Sequence, residues 1–162
     1  MIYDTSNIRR QDRLLPQEKA YDLLKKGEYG TLSMVSEEDT GYGIPINFVY
    51  DDKQDCIYFH CAMEGKKLRC LAKNNRVSFC IIGKTAVISN QFTTAYESVV
   101  VNGTMDIHLS DQERRYGLSL LLDKYCPNDK EIGLRYIEKS FHRTNVIRLN
   151  IFSFSGKSKV IK

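Results

Sequence analysis

Along the first third of the chain the spacing of apolar residues changes once. From Pro16 to Gly27, Ala20, Leu23 and Leu24 fall on one helical face. Proline suits the first turn and glycine the end, so the stretch predicts a short amphipathic helix. From Tyr29 the period becomes two. Tyr29–Ser36, Gly43–Tyr50 and Cys56–Cys61 read as strands joined by the polar clusters EEDTG and DDKQD, the pattern of an antiparallel meander. Pro45 inside the second strand cannot donate to a ladder, which predicts an edge, a bulge or a ligand-facing break there.

Helical spacing returns over Met63–Asn75, with Leu68 and Leu71 inward, and yields to the largely apolar strand Arg76–Gly83. Ala86–Ser89 and Glu97–Leu109 read as further strands, with Gly103 marking a bulge or sharp bend. Ser110 with Glu113, and Asn128 with Glu131, have capping-box spacing before two helical runs. Asn145–Phe154 is the last strand. Six or seven strands, mostly in hairpins with a few helices outside, predict a mainly β fold: a small closed or split β-barrel with peripheral helices. No linker or repeat divides the chain, so residues 1–162 are expected to form one domain. Residues 1–15 form a basic N-terminal arm carrying Arg9, Arg10 and Arg13.

Composition narrows this little. At 162 residues with 42% hydrophobic and 27% charged residues, the chain is an ordinary globular one and not a disordered or collagen-like one. The net charge of +4 sets 24 basic residues against 20 acidic ones, a weak preference for anionic partners. Interspersed charges and the lack of a recognised motif speak against nucleic acid, and the lack of a long apolar run speaks against a membrane span. The five cysteines, at 56, 61, 70, 80 and 126, have irregular spacing and no CxxC pair. They predict free thiols in a reducing, cytoplasmic setting, with no metal site. No secretory signal is expected at the N-terminus.

The chemistry concentrates in FHCAMEGKKLRC, residues 59–70. A strand ends, a helix opens near Gly65, and Lys66 and Lys67 occupy its first turn. Cations there oppose the helix dipole. They make sense if an anion sits at that helix end and collects backbone N–H groups and both ammonium groups; the competing reading is two solvated lysines. In GIPINFVY, Asn47 carries the donor and acceptor that a heteroaromatic ring edge requires; the alternative is a bulged strand with a surface Asn. His60, between apolar Phe59 and Cys61, is either a hydrogen-bonded core residue or a catalyst. Ser98 begins a long strand after a polar loop. Neither GxGxxG, GxxxxGK[ST] nor GxSxG occurs.

The ordered set RRQDRLL, a helix, YGTLSM, GIPINFVY, IYFHCAMEGKK, NNRVSFCIIG, TTAYESVVVNGT, KY (Lys124–Tyr125) and a terminal SGK resembles the Nim-type 5-nitroimidazole resistance proteins of the pyridoxamine 5'-phosphate oxidase-like superfamily, from about Arg9 to Lys157. The resemblance implies an FMN-binding split barrel, with FAD as the other flavin, and a homodimer holding the cofactor in its crevice. By segment matching, Pro45, Ile46, Asn47 and Phe48 would line the flavin ring, with His60 and Cys61 at the next strand end. Lys66 and Lys67 would hold the phosphate, and Ser98 would reach the flavin from the YESV strand. The implied activity is flavin-dependent reduction of a small-molecule electron acceptor such as a nitro compound, with His60 as proton donor. The alternative is a non-catalytic barrel that binds flavin or haem. Gly43 and Asn47 stand where vitamin B6 oxidases carry charge, and the chain has no tryptophan. Both features depart from true pyridoxamine phosphate oxidases.

Overall fold

The computed structural model describes residues 1–160. In chain order its elements are β1 (Ile2–Tyr3), α1 (Gln17–Lys26), β2 (Tyr29–Val35), β3 (Gly41–Asn47), β4 (Val49–Asp51), β5 (Cys56–Ala62), α2 (Lys66–Lys73), β6 (Arg76–Ile88), β7 (Thr93–Asp106), α3 (Asp111–Tyr125), α4 (Lys130–Ser140) and β8 (Thr144–Lys159). One sheet runs in the order β3-β2-β6-β7-β8-β5-β4, antiparallel throughout, with β1 added in parallel to β8.

The two ends of that order are neighbours in the chain. β3 pairs with β2 and β4 pairs with β5, and only Phe48 separates them. The sheet therefore curls round until one broken strand spans its two sides, the split barrel expected from the strand count. Its interior holds Leu32, Phe48, Phe59, Phe79, Val101 and Ile147, each fully buried, with α1 contributing Ala20 and Leu24. A second apolar layer lies outside β4 and β5. There Leu118 and Leu121 of α3 and Ile137 of α4 cover Val49, Cys56 and Tyr58. No helix among the described residues is long and apolar enough to cross a membrane.

Several local expectations hold. Gly103 sits at a register shift opposite β8, and a Cβ there would come within 2.0 Å of the Asn150 carbonyl oxygen. Ser110 caps α3 by accepting the Glu113 N–H at 3.2 Å. Others change. The predicted strands Arg76–Gly83 and Ala86–Ser89 are one strand, because a bulge between Ile82 and Thr85 keeps the ladder running. At that bulge the Glu97 carboxylate accepts the Lys84 N–H at 3.0 Å. The last strand continues to Lys159 because it pairs with β5 and then with β7. Asn128 makes no capping box: Pro127 opens a 3-10 turn that moves the start of α4 to Lys130, after an Asp129 cap without a side-chain bond. The N-terminal arm is ordered against β8 through β1 and a bridge from Leu14 to Lys157. Within it, Asp12 pairs with both Arg10 and Arg13.

Candidate functional site

Helix α2 starts on Gly65, whose φ of 142° and ψ of 171° belong to a region open essentially to glycine alone. No side chain caps this helix, and its first turn has no acidic residue. The N–H groups of the first turn therefore point outward without an intrahelical partner. Lys66 and Lys67 stand in that turn, and among the described residues neither forms an ion pair. The Lys66 ammonium lies 4.9 Å from the centroid of the Tyr42 ring on β3. The start of α2 is thus an exposed, uncompensated pole beside the edge strand.

The end of β5 lies next to it. His60 is exposed and has no hydrogen-bond partner among the described residues. Loss of hydration against the surrounding protein, together with the nearby Lys67 charge, holds its pKa below the ordinary imidazole value. Cys61 alternates to the other side and packs half-buried against the barrel interior. Burial pushes its thiol pKa up, and Lys67 opposes this only in part. That environment makes Cys61 a poor nucleophile.

On β3 the expected ring-lining residues divide by strand alternation. Pro45 and Asn47 face outward and are exposed; Ile46 packs partly on the core, and Phe48 is fully buried against Phe79 with ring centroids 4.9 Å apart. Ile46 and Phe48 therefore offer an outer ligand only backbone. Pro45 sits in the ladder opposite Thr31 on the edge strand β3, which is the edge position the proline predicted; the break comes three residues later. The backbone groups freed at the break already have partners. The Tyr125 hydroxyl accepts the Phe48 N–H at 3.0 Å, and the Lys124 ammonium donates to the Phe48 carbonyl at 2.8 Å. Asn47 Nδ2 donates to the Glu28 carbonyl at 3.0 Å, which leaves Oδ1 and one N–H for a ligand.

Lys124 and Tyr125, at the end of α3, are the KY pair of the ordered set of segments, to which the sequence assigns no role. Lys124 also lies 3.8 Å over the Phe48 ring, and burial lowers its pKa from 10.5 to about 8. A KY pair closing a helical run was the available signal, but nothing local says that it reaches a strand break.

Ser98 is not brought to this site within one chain. It pairs with Ile82 and Lys157, whereas His60 pairs with Val146. Positions 146 and 157 of β8 are roughly 35 Å apart along a strand rising about 3.3 Å per residue. The structure sets Lys66 against Tyr42, Lys67 near His60, and His60 with Asn47 on one hollow, while Ser98 lies level with Asn47 across β2 and β6 and far from His60 along β8.

Two hollows flank α2 and β5. One of about 1010 Å³ lies between α2 and the β7–α3 connection and holds none of the predicted site side chains. The other, about 380 Å³, lies between β5 and the α3–α4 pair and is lined by both Asn47 and His60.

Comparison with known proteins agrees with this architecture. Among solved structures, a protein of Bacteroides thetaiotaomicron proposed to act in 5-nitroimidazole antibiotic resistance matches with a TM-score of 0.71 at 18% identity, over 89% of this chain and 85% of the other. The flavocytochrome Anf3 of Azotobacter vinelandii matches with a TM-score of 0.75 at 19% identity, over 90% and 68%. An FAD and haem binding protein of Mycobacterium smegmatis matches with a TM-score of 0.66 at 22% identity, over 88% and 71%. At these identities the likenesses establish the fold. No curated protein sequence matches the chain significantly. The sequence profile of the pyridoxamine 5'-phosphate oxidase family matches residues 16–158, from the start of α1 almost to the end of β8, and the chain belongs to that family.

Proposed function

We propose that the chain binds FMN between two copies of itself and reduces a small electron acceptor, of which nitro compounds such as 5-nitroimidazoles are the leading class. The observation that carries this is the start of α2: an uncapped, acid-free helix pole with two unpaired ammonium groups beside an exposed imidazole. A phosphate ester there would receive backbone N–H groups and both lysines. Charge-assisted hydrogen bonds contribute about 1.5–3 kcal/mol each, against a dipole penalty of roughly 0.3–1 kcal/mol per lysine. The outer face of β3, uncharged through Gly43, Pro45 and Asn47, suits a flat heteroaromatic ring, with Asn47 offering Oδ1 and one N–H to its edge.

When bound, the flavin would supply the electrons. The protein's own part is to anchor the phosphate through Lys66 and Lys67, orient the ring along β3, and hold a proton donor at the His60 ring nitrogen. A depressed pKa keeps that imidazole neutral at pH 7, so it can donate a hydrogen bond without placing another cation beside Lys67. The long separation of Ser98 from His60 along β8 supports a site completed by the YESV strand of a second copy. The five unpaired thiols suit a reducing, cytoplasmic setting.

Purified protein should show the absorbance of an oxidised flavin, run as a dimer, and reduce a nitro acceptor with a reduced nicotinamide as donor. Failure to bind FMN on titration would overturn the reading, and a monomer that keeps its flavin would overturn the shared site. Haem is the second reading, because the exposed His60 imidazole, without a partner among the described residues, would be available to ligate its iron, and two of the similar proteins above are a flavocytochrome and a haem binder. A Soret band on haemin titration that disappears in His60→Ala would favour it.

A further inference from the structure

The cavity of about 380 Å³ between β5 and the α3–α4 pair is separate from the lysine pole and formed within a single chain. Its wall is apolar, built from Leu118, Leu121, Leu122 and Ile137. No charged side chain lines it. Its size falls in the ordinary range of small-molecule sites, ~300–1,000 Å³, and a cavity of roughly 150 Å³ already accepts a benzene ring.

The polar groups on its lining decide what it recognises. Ser140 Oγ donates to the Tyr136 carbonyl at 2.8 Å, and Thr144 Oγ1 donates to the Ser140 carbonyl at 3.0 Å. The Tyr125 hydroxyl spends its proton on the Glu28 carbonyl at 2.5 Å. These three hydroxyls have no proton left for a ligand. His60, the second N–H of Asn47 and the Tyr136 hydroxyl, none with a hydrogen-bond partner among the described residues, are the donors that remain; Tyr136 stands on the largely exposed face of α4, and His60 and Asn47 on the strand side of the cavity.

We propose that this cavity is a binding site for a neutral ring compound that carries a hydrogen-bond acceptor at one end, such as a nitro, carbonyl or ring-nitrogen group, with the acceptor on His60 and the ring among Leu118, Leu121 and Ile137. A carboxylate or phosphate is excluded, because the apolar wall would strip its hydration and the lining returns no charge. His60 thereby belongs to two sites, the flavin site outlined above and this cavity. The second does not depend on flavin being bound.

Cys126 is an exposed free thiol on the cavity lining and serves as a reporter. The test follows the rate of Cys126 alkylation by iodoacetamide, by peptide mapping, in the protein as purified with nitrobenzene, toluene or benzoate present. Nitrobenzene should slow the reaction at least threefold and toluene less, while benzoate leaves it unchanged. In His60→Phe, which keeps the bulk and removes the donor, nitrobenzene should protect no better than toluene. An unchanged Cys126 rate with nitrobenzene, or equal protection by benzoate, would overturn the proposal. Flavin binding measured on the same sample separates this outcome from failure of the FMN reading.

Discussion

Helices α2 and α3 treat their charges in opposite ways. α3 begins with a Ser110 cap and with Asp111 and Glu113 in its first turn, and ends with Lys124. Every one of these charges favours the dipole. α2 begins without a cap or an acid and places two lysines where the dipole opposes them. The lysine at the end of α3 is half-buried and committed to the Phe48 carbonyl, whereas those at the start of α2 form no ion pair among the described residues, Lys66 lying only over the Tyr42 ring. α3 ends at the strand break at Phe48, whereas α2 starts beside Tyr42 of β3. A helix start that serves only the fold satisfies its own poles. On the proposed reading, one that leaves them open beside two cations is arranged for a phosphate ester.

The strongest way to break this contrast is to remove the cations. Lys66→Ala with Lys67→Ala should weaken FMN at least a hundredfold, since two charge-assisted bonds contribute ~3–6 kcal/mol together and each ~1.4 kcal/mol is tenfold. Riboflavin, which lacks the phosphate, should be almost unaffected; equal loss of both ligands, measured by fluorescence titration, would show that the lysines do not meet phosphate. Next in size is Gly65→Ala. A side chain at its φ of 142° costs on the order of 1–3 kcal/mol, read as a lower denaturation midpoint and weaker FMN binding together. Ser110→Ala sharpens the other side of the comparison. It should cost about 1 kcal/mol of stability and leave FMN affinity alone.

A pH-dependent effect concerns Lys124. Its pKa of about 8 in the fold lies below the ordinary 10.5. Between those values the unfolded chain binds the proton that the fold has lost, so this residue makes stability rise with pH over that window. The difference between wild type and Lys124→Met, followed by denaturant unfolding from pH 8 to 10.5, should grow in favour of wild type. A flat difference would mean that Lys124 is solvated.

Much of this was legible in the chain. Period-two segments gave most of the strands, the Ser110 spacing gave a cap that forms, and Gly103 marked a register shift. Lys66 and Lys67 announced themselves because their charge is wrong for their position. What the sequence hid depends on distant partners. Phe48 reads as one more strand residue, yet it is where the sheet closes, and its partners lie some 77 residues further on. Pro45 predicted an edge, a bulge or a break and does mark the edge strand, which tolerates proline without breaking the ladder; the break at Phe48 carries no signal of its own. Four consecutive ring-lining residues could not all face one way, since alternation turns Ile46 and Phe48 inward. The distance between Ser98 and His60 along β8 is a matter of register, which no local pattern carries.

The central claim is that the start of α2 is a phosphate seat, and the most direct measurement is a parallel titration of flavin-free wild-type protein with FMN and with riboflavin. The account predicts saturable binding of one FMN per chain, at least a hundredfold tighter than riboflavin. Equal affinities for the two, or no binding of either, would contradict it.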